Sequence, residues 1–198
     1  MLGNAAVVMW WDVAPEMRAE WEDWHSSEHM PERLAIPGFL RGTRWIAVSG
    51  EPSYFVLYEV AGLATLTGGA YLDRLNNPTP WSRKMMPHHR NMVRSLCVLR
   101  EGWGGGVPHA LATIRFSPTS NPTRLPRGPG LTSAHVLQSQ PIPGTPTTEQ
   151  KIRGGDASAD WVMLIGGYDV EAVTKSRIPA GIAGIYRPAY SLSAGEIA

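Results

Sequence analysis

Three side chains able to carry acid–base or metal chemistry lie within five positions of one another, at His25, Glu28 and His29. An imidazole titrates near neutral pH and a carboxylate can orient or accept a proton, so the set could move a proton on a small substrate. The same spacing matches H-x-x-E-H, an inverted zinc motif in which the two histidines bind the metal. A third interpretation is the polar end of a structural helix.

A predicted amphipathic helix positions these side chains. Trp21 and Trp24 recur at helical spacing and mark the buried face of that helix. On a helical wheel Glu28 lies between the two tryptophans, whereas His25 and His29 lie one turn apart at the edge of the same face. A carboxylate on a buried face needs a partner or a raised pKa, and a raised pKa suits a general acid or base.

The role of Glu28 has a simpler alternative, in which it is exposed in the last turn or pairs with Arg33 or Arg44. Pro31 predicts the end of the helix near His29, with room for one further turn over "PERLA". The catalytic candidates are therefore three residues at the end of one helix.

Four further side chains are candidates for binding a substrate. Arg44 and Tyr58 lie on predicted strands, where an arginine could anchor a carboxylate and a tyrosine could donate a hydrogen bond to an enolate. Their alternatives are a surface cation and a core aromatic residue. Trp24 and Arg33 complete the predicted substrate-binding set.

The order of predicted elements defines the fold class. Residues 1–102 give β-α-β-β-α-β, the ferredoxin-like order, and "EGWGGGVPH" (101–109) looks like a linker. Residues 107–198 repeat the strands, but four prolines in 117–130 exclude a first helix there. We predict an α+β protein with two tandem ferredoxin-like halves in a dimeric-α+β-barrel-type arrangement, the first carrying the site and the second degenerate. The alternative is a single irregular α+β domain.

The first half resembles the dimeric α+β barrel superfamily, and within it the EthD-like branch. The resemblance rests on His25, His29 and Pro31, followed by "PGF" (37–39) leading into the second strand. It implies a barrel of two four-stranded sheets, built by a homodimer or by an intramolecular pseudo-dimer. The superfamily includes cofactor-free monooxygenases, isomerases, polyketide cyclases and heme-binding proteins. The proline-rich replacement in the second half removes any equivalent histidine pair and implies one site per chain.

Together these features predict a protein that binds a small aromatic or polyketide-like carbonyl compound. His29 or His25 would move a proton beside the carbonyl, Glu28 would orient that histidine, and Arg44 or Tyr58 would hold the oxygen that gains charge. No redox cofactor and no metal are part of this prediction.

Several alternatives stay open from the sequence. One is a non-catalytic ligand-binding or stress-response module, and another is heme binding through one of the six histidines. A third is a metal-dependent hydrolase, for which only Glu59 or Glu101 could supply a third ligand.

Composition narrows the partners and the compartment. The formal net charge of the 198-residue chain is +1, without a run of Lys or Arg, so nucleic acid and anionic membranes are poor partners. Cys97 is the only cysteine, so no disulfide can form within the chain. The first residues lack the basic segment of a signal peptide. We therefore expect a cytoplasmic protein.

Overall fold

The computed structural model describes residues 1–49, 52–117, 124–141, 144–176 and 181–197. Within these ranges the chain forms eight β-strands, joined by short helices. The strands are β1 (Ala5–Val13), β2 (Phe39–Ser49), β3 (Tyr54–Val60), β4 (His89–Gly104), β5 (Ala110–Phe116), β6 (Leu131–Ser139), β7 (Trp161–Gly167) and β8 (Ile182–Ser193).

The strands form one closed antiparallel barrel in the order β1-β3-β2-β8-β5-β7-β6-β4. The predicted fold class of two tandem ferredoxin-like halves is therefore wrong. The two halves share one sheet, because β2 pairs with β8 and β4 pairs with β6, for example at Arg44 opposite Tyr190 and Cys97 opposite Ser139. The sequence implied a barrel but left open whether one chain or two would close it, since local patterns identify strands and carry no signal for pairing between residues so far apart.

Strand β1 packs against apolar side chains on both of its faces. Its run "AAVVMWW" does not alternate between apolar and polar residues because both faces are buried. Val8 and Trp10 point into the barrel interior, and Met9 and Trp11 belong to the core between the barrel and the helices outside it. The barrel therefore has a filled interior and a second apolar layer on its outer surface.

The helices within the described ranges cover the outer surface. None of them is long and apolar enough to span a bilayer. The helical stretch after β3 is interrupted at Gly68, whose backbone is extended. The helices are α1 (Arg18–Trp24), α2 (Met30–Leu34), α3 (Leu63–Thr67), α4 (Gly69–Asn76), α5 (Pro80–Met85), α6 (Thr148–Arg153) and α7 (Val170–Lys175).

Part of the proline-rich segment 117–130 lies outside the described residues, as do residues 142–143 of the long β6–β7 connection. The expected linker is partly strand, because β4 continues to Gly104 and pairs with β6. The barrel closes within one chain. The division into domains at 102–107 and the oligomeric state stay predictions.

The β6–β7 connection carries α6 onto the first half of the chain. A capping box begins α6, in which Thr147 and Gln150 bond each other's backbone N–H, and Gly154 follows its end in the left-handed conformation at φ 84°. Beyond it, Ala157 bonds the backbone of Met92 and Arg94 on β4. These contacts fasten a helix from the second half over the helices of the first.

Candidate functional site

The helix that carries the histidines continues through Pro31 to Leu34, so the further turn over "PERLA" is present. Residues 25–29 form one turn of π-helix, in which the Met30 N–H donates to the carbonyl of His25, five residues back. In an α-helix, Pro31 could not bond the carbonyl four residues earlier, and its ring would press against that carbonyl. A wider turn before the proline relieves this crowding, and such turns occur often at functional sites.

A buried cavity lies between this turn and the outer surface of the barrel. Its volume is about 30 Å³, which is the space that about one water molecule occupies. The first-half strands form its floor, the histidine-bearing helix and α4 its walls, and α6 its cover. The polar side chains that line it include His25, His29, Arg33, Tyr58 and Glu149.

Four polar groups of these side chains are buried without a hydrogen-bond partner among the described residues. They are Nδ1 of His25, Nδ1 of His29, the hydroxyl of Tyr58 and Nη1 of Arg33. Nε1 of Trp11, which lines the same cavity, is also unpartnered. Native proteins leave few buried polar atoms unbonded, and such groups call for a functional explanation. Their convergence marks this cavity as the candidate site.

The two histidines lie side by side in an aromatic enclosure. Their ring centroids are 5.6 Å apart, the His25 ring stacks on Trp21 at 4.9 Å, and the His29 ring lies 4.5 Å from that of Trp24. Burial lowers the pKa of both histidines well below 6.5, and nearby arginine charges, chiefly Arg44 for His25 and Arg33 for His29, lower it further. Both rings are therefore neutral at pH 7, so each has one unprotonated nitrogen.

Tyr58 reaches the cavity from β3 because of a glycine on the neighbouring strand. Gly42 lies opposite Tyr58 in the register, and a Cβ on Gly42 would lie 2.8 Å from Cε1 of the tyrosine ring. Burial raises the pKa of Tyr58 above its ordinary value. The phenol is therefore protonated at neutral pH and can act as a hydrogen-bond donor.

Arg33 is held in place by a charge network that spans the two halves of the chain. Its Nη2 bonds Glu149 on α6, and both side chains are almost completely buried. Glu149 also lies 3.6 Å from Arg153, which forms two hydrogen bonds to Asp156 at 3.1 Å and 2.9 Å. Although burial opposes it, the Glu149 carboxylate raises the pKa of Arg33. Arg33 therefore presents a fixed positive charge to the cavity.

Among the described residues, the hydrogen bonds of Glu28 go to side chains other than the two histidines. Its Oε1 accepts hydrogen bonds from Nε1 of Trp24 at 3.1 Å and from Oγ1 of Thr79 at 2.6 Å. Thr79 in turn caps α5 by accepting a bond from the Ser82 N–H. Glu28 thus joins the π-helical turn to the start of α5.

These bonds predict that Glu28 matters more for stability than for chemistry. Glu28→Ala should lower the free energy of unfolding by about 1–3 kcal/mol, because it leaves the Thr79 hydroxyl without its acceptor. Urea unfolding measures this loss, with Glu16→Ala at an exposed position as the control. A variant as stable as the parent, but with impaired proton transfer, would restore the catalytic role predicted from the sequence.

The substrate-binding candidates are divided by the structure. Trp24, Arg33 and Tyr58 line the cavity, and Arg44 does not. The Arg44 guanidinium donates to the carbonyl of Glu22 at 3.0 Å and lies 5.7 Å from the centroid of the Trp21 ring. Arg44 therefore lowers the pKa of His25 through its charge, although it does not line the cavity.

The polar side chains of the cavity that the sequence did not single out include His89 and Glu149. Nδ1 of His89 bonds the carbonyl of Met86 at 2.9 Å, and its Nε2 accepts from Nε1 of Trp21 at 3.2 Å. With both nitrogens bonded, His89 supports Trp21 beneath the histidine pair. Glu149 could have been suspected only from the capping-box pattern at Thr147 and Gln150.

The residues considered for metal binding are not clustered. Among the described residues, no group of three or more His, Cys, Asp or Glu side chains is arranged to hold a metal ion. Glu59, one of the two possible third ligands, forms an ion pair with Arg41 at 2.5 Å and accepts a bond from the Leu2 N–H at 2.6 Å.

A larger depression of about 460 Å³ lies elsewhere, at the ends of β5 and β8. It has one cation, Arg115, and one carboxylate, Asp160, and no histidine or tyrosine among its described lining residues. The small buried cavity therefore has the stronger chemical case.

The buried histidines predict that the fold is sensitive to acid. Burial lowers the pKa of His25 and His29, and it lowers that of His89 to about 3, whereas an unfolded histidine titrates near 6.5. Below pH 6.5 the unfolded chain therefore binds protons that the folded chain does not. The free energy of unfolding should fall there by up to about 1.4 kcal/mol per pH unit for each histidine, and it should be unaffected by them above pH 6.5.

Urea unfolding followed by tryptophan fluorescence at pH 7.5, 6.5 and 5.5 measures this loss. His25→Gln should reduce the dependence on pH by one proton. Equal stability at pH 7.5 and 5.5 would contradict the prediction.

Comparison with solved structures finds neighbours of the dimeric α+β barrel type that share the fold of this chain. The EthD-like assignment within it stays a prediction. No protein-family model and no curated protein sequence matches the chain.

Three solved structures share the fold over nearly the whole chain. An anthrone oxidase-like protein has a TM-score of 0.62 at 9% identity, covering 98% of this chain and 94% of its own. A "putative monooxygenase" from Fusobacterium nucleatum has a TM-score of 0.55 at 7% identity, covering 98% and 96%. Another from Lactobacillus acidophilus has a TM-score of 0.54 at 8% identity, covering 96% and 97%. At these identities the likeness concerns the fold.

Proposed function

We propose that the protein binds a small aromatic or polyketide-like carbonyl compound and removes a proton from it without a cofactor, in chemistry of the monooxygenase type. The observation that carries this proposal is the convergence of unpartnered polar groups from His25, His29, Tyr58 and Arg33 on one buried cavity. The names of the structural neighbours, an anthrone oxidase-like protein and two proteins each called a "putative monooxygenase", agree with it.

The groups around the cavity have complementary parts in such a reaction. A neutral histidine takes the proton from a carbon that the carbonyl makes acidic, and the carbonyl oxygen gains negative charge. Arg33 Nη1 and the Tyr58 hydroxyl, both buried and without partners, stabilise that charge. The oxygen is thus held by Arg33 and Tyr58, and Arg44 acts only through its charge on His25.

Dioxygen completes the proposed reaction for a substrate such as anthrone. The base removes one proton from the methylene carbon, and the resulting anion is electron-rich enough to reduce dioxygen directly. The methylene group becomes a carbonyl group, so one oxygen atom enters the product, and the other leaves as water with the two hydrogens. Substrate and dioxygen together supply all the electrons.

Proton removal can be tested apart from oxidation. Purified protein is incubated with anthrone in deuterated buffer without oxygen, and exchange of the methylene hydrogens is followed by mass spectrometry above the rate in buffer alone. With oxygen, anthraquinone formation and oxygen uptake should match one to one. Binding of anthrone without exchange above the buffer rate would contradict catalysis and leave the non-catalytic binding module as the function.

Tyr58→Phe should slow this exchange about a hundredfold, because it removes a buried donor to the developing charge. Tyr168, which is 66% exposed, gives the matched control Tyr168→Phe. An unchanged rate in Tyr58→Phe would exclude the phenol from the reaction.

A further inference from the structure

A second pocket adjoins the histidine cavity and is separated from it by a small group of side chains. Its volume is about 200 Å³, and Tyr71, Leu75 and Arg94 line both spaces. Its other lining side chains include the apolar Leu66, Leu72 and Leu96 and the polar Thr145, Thr147 and Gln150. The two spaces are therefore neighbours that share one wall.

The volumes show that a ring compound needs both spaces. The histidine cavity holds about 30 Å³, whereas a cavity that binds benzene has about 150 Å³. A ligand that places its carbonyl oxygen between Tyr58 and Arg33 must therefore extend its rings beyond the cavity. The adjoining pocket, on the far side of Tyr71 and Arg94, has the required room.

The charges around the shared wall do not balance. Arg33 is paired with Glu149, and Arg153 is paired with Asp156. Among the described residues, Arg94 forms no ion pair, and its guanidinium has a single hydrogen bond, from Nη2 to the Tyr71 hydroxyl at 2.7 Å. Burial opposes the charge of Arg94, while Tyr71 and the more distant carboxylates of Asp156 and Glu149 raise its pKa without forming an ion pair with it. A partly buried cation without a direct ion pair favours a ligand that brings a negative charge.

We propose that the 200 Å³ pocket is a subsite for a planar aromatic acid, whose carboxylate is bound by Arg94 while its carbonyl end lies in the histidine cavity. This inference rests on the proposed function and specifies its substrate class, an aromatic carbonyl compound that carries a carboxylate. Arg94 selects the acid, and the histidine cavity performs the chemistry. The hydrogen bond from Arg94 to Tyr71 holds the guanidinium at the wall between the two spaces.

The test compares two ligands of the same shape, 2-naphthoate and 2-naphthamide, which differ in charge. Isothermal titration calorimetry on the whole chain at low salt gives both dissociation constants. The parent protein should bind naphthoate about ten to a hundred times more tightly than naphthamide, as a charged hydrogen bond in a partly buried site provides. Arg94→Gln should reduce this preference to less than about twofold, and Arg94→Lys should keep part of it.

Arg100→Gln is the matched control, since Arg100 lies on the same strand, is exposed and should leave the preference unchanged. Thermal unfolding of each unliganded variant shows whether it is folded. If Arg94→Gln does not fold, Arg94→Lys takes its place in the test. The subsite is overturned if the parent binds both ligands equally or binds neither. It is also overturned if the preference survives in Arg94→Gln.

These results are independent of the exchange assay with anthrone. Exchange of anthrone without a naphthoate preference would leave the proposed function in place and remove the subsite. A preference that depends on Arg94, with no exchange of any carbonyl ligand, would leave a binding site for aromatic acids and remove the catalytic proposal.

Discussion

Replacing His25 and His29 together by glutamine should lower the rate of proton removal from anthrone by about 10²- to 10⁴-fold, the usual contribution of a general base. Both rings line the cavity, and Nδ1 of each is buried without a partner among the described residues. Glutamine fills similar space and forms hydrogen bonds but cannot take the proton. The apparent affinity for ligand should change much less than the rate.

The pH profile separates this role from a structural one. Because burial lowers the pKa of both histidines, the base stays deprotonated as the pH falls through 6.5. The exchange rate should therefore stay level between pH 7.5 and 6, whereas a solvent-exposed histidine would lose activity across that range. Rates are compared only where circular dichroism shows the folded protein.

The single variants His25→Gln and His29→Gln identify which ring is the base. His109, which is exposed, provides the control His109→Gln. A double variant that is folded and exchanges anthrone at the parental rate would rule out both histidines as the base.

Glu149→Gln should lower the free energy of unfolding by about 3–5 kcal/mol, the usual result of removing one partner from a buried ion pair. The substitution leaves Arg33 charged and buried, with a neutral amide in place of its carboxylate partner. It also weakens the contact with Arg153. Urea unfolding of parent and variant measures the difference.

Two further variants show whether the loss comes from an uncompensated charge. The double substitution Arg33→Met with Glu149→Leu removes both charges and should recover most of the stability. It should also slow proton transfer by about 10²- to 10³-fold, because it removes one of the two groups proposed to hold the oxygen. Glu171→Gln breaks an ion pair with Lys175 in which both side chains are more than 70% exposed, and it should cost less than about 1 kcal/mol. A loss from Glu149→Gln no larger than that of Glu171→Gln would contradict the network.

The sequence identified the place of the site because the signals there are local. The spacing of His25 and His29 on one helix predicts a histidine pair at the edge of its buried face, and in the structure the two ring centroids lie 5.6 Å apart. The partner of Glu28 could not be predicted in the same way. Thr79, which is 51 residues away, becomes its neighbour only when α5 packs against the histidine-bearing helix.

Features that depend on contacts between the two halves were the ones missed. Nothing near Arg33 in the sequence indicates Glu149, which lies 116 residues later on a helix of six residues. The capping box and the glycine at its end predict that such a helix exists, but not where it packs. Whether one chain or two would close the barrel was left open for the same reason, because closure depends on pairing between strands of different halves.

The passage of α6 from the second half onto the first has a consequence for how this chain can change in evolution. The half with the histidines cannot be inherited alone as a working unit, since the counter-ion of its central arginine is encoded in the other half. A substitution at Glu149 should require a compensating substitution at Arg33. Recombination that exchanges one half for that of a distant relative would leave a buried charge without its partner. The two halves should therefore evolve together, and related chains should retain or lose Arg33 and Glu149 as a pair.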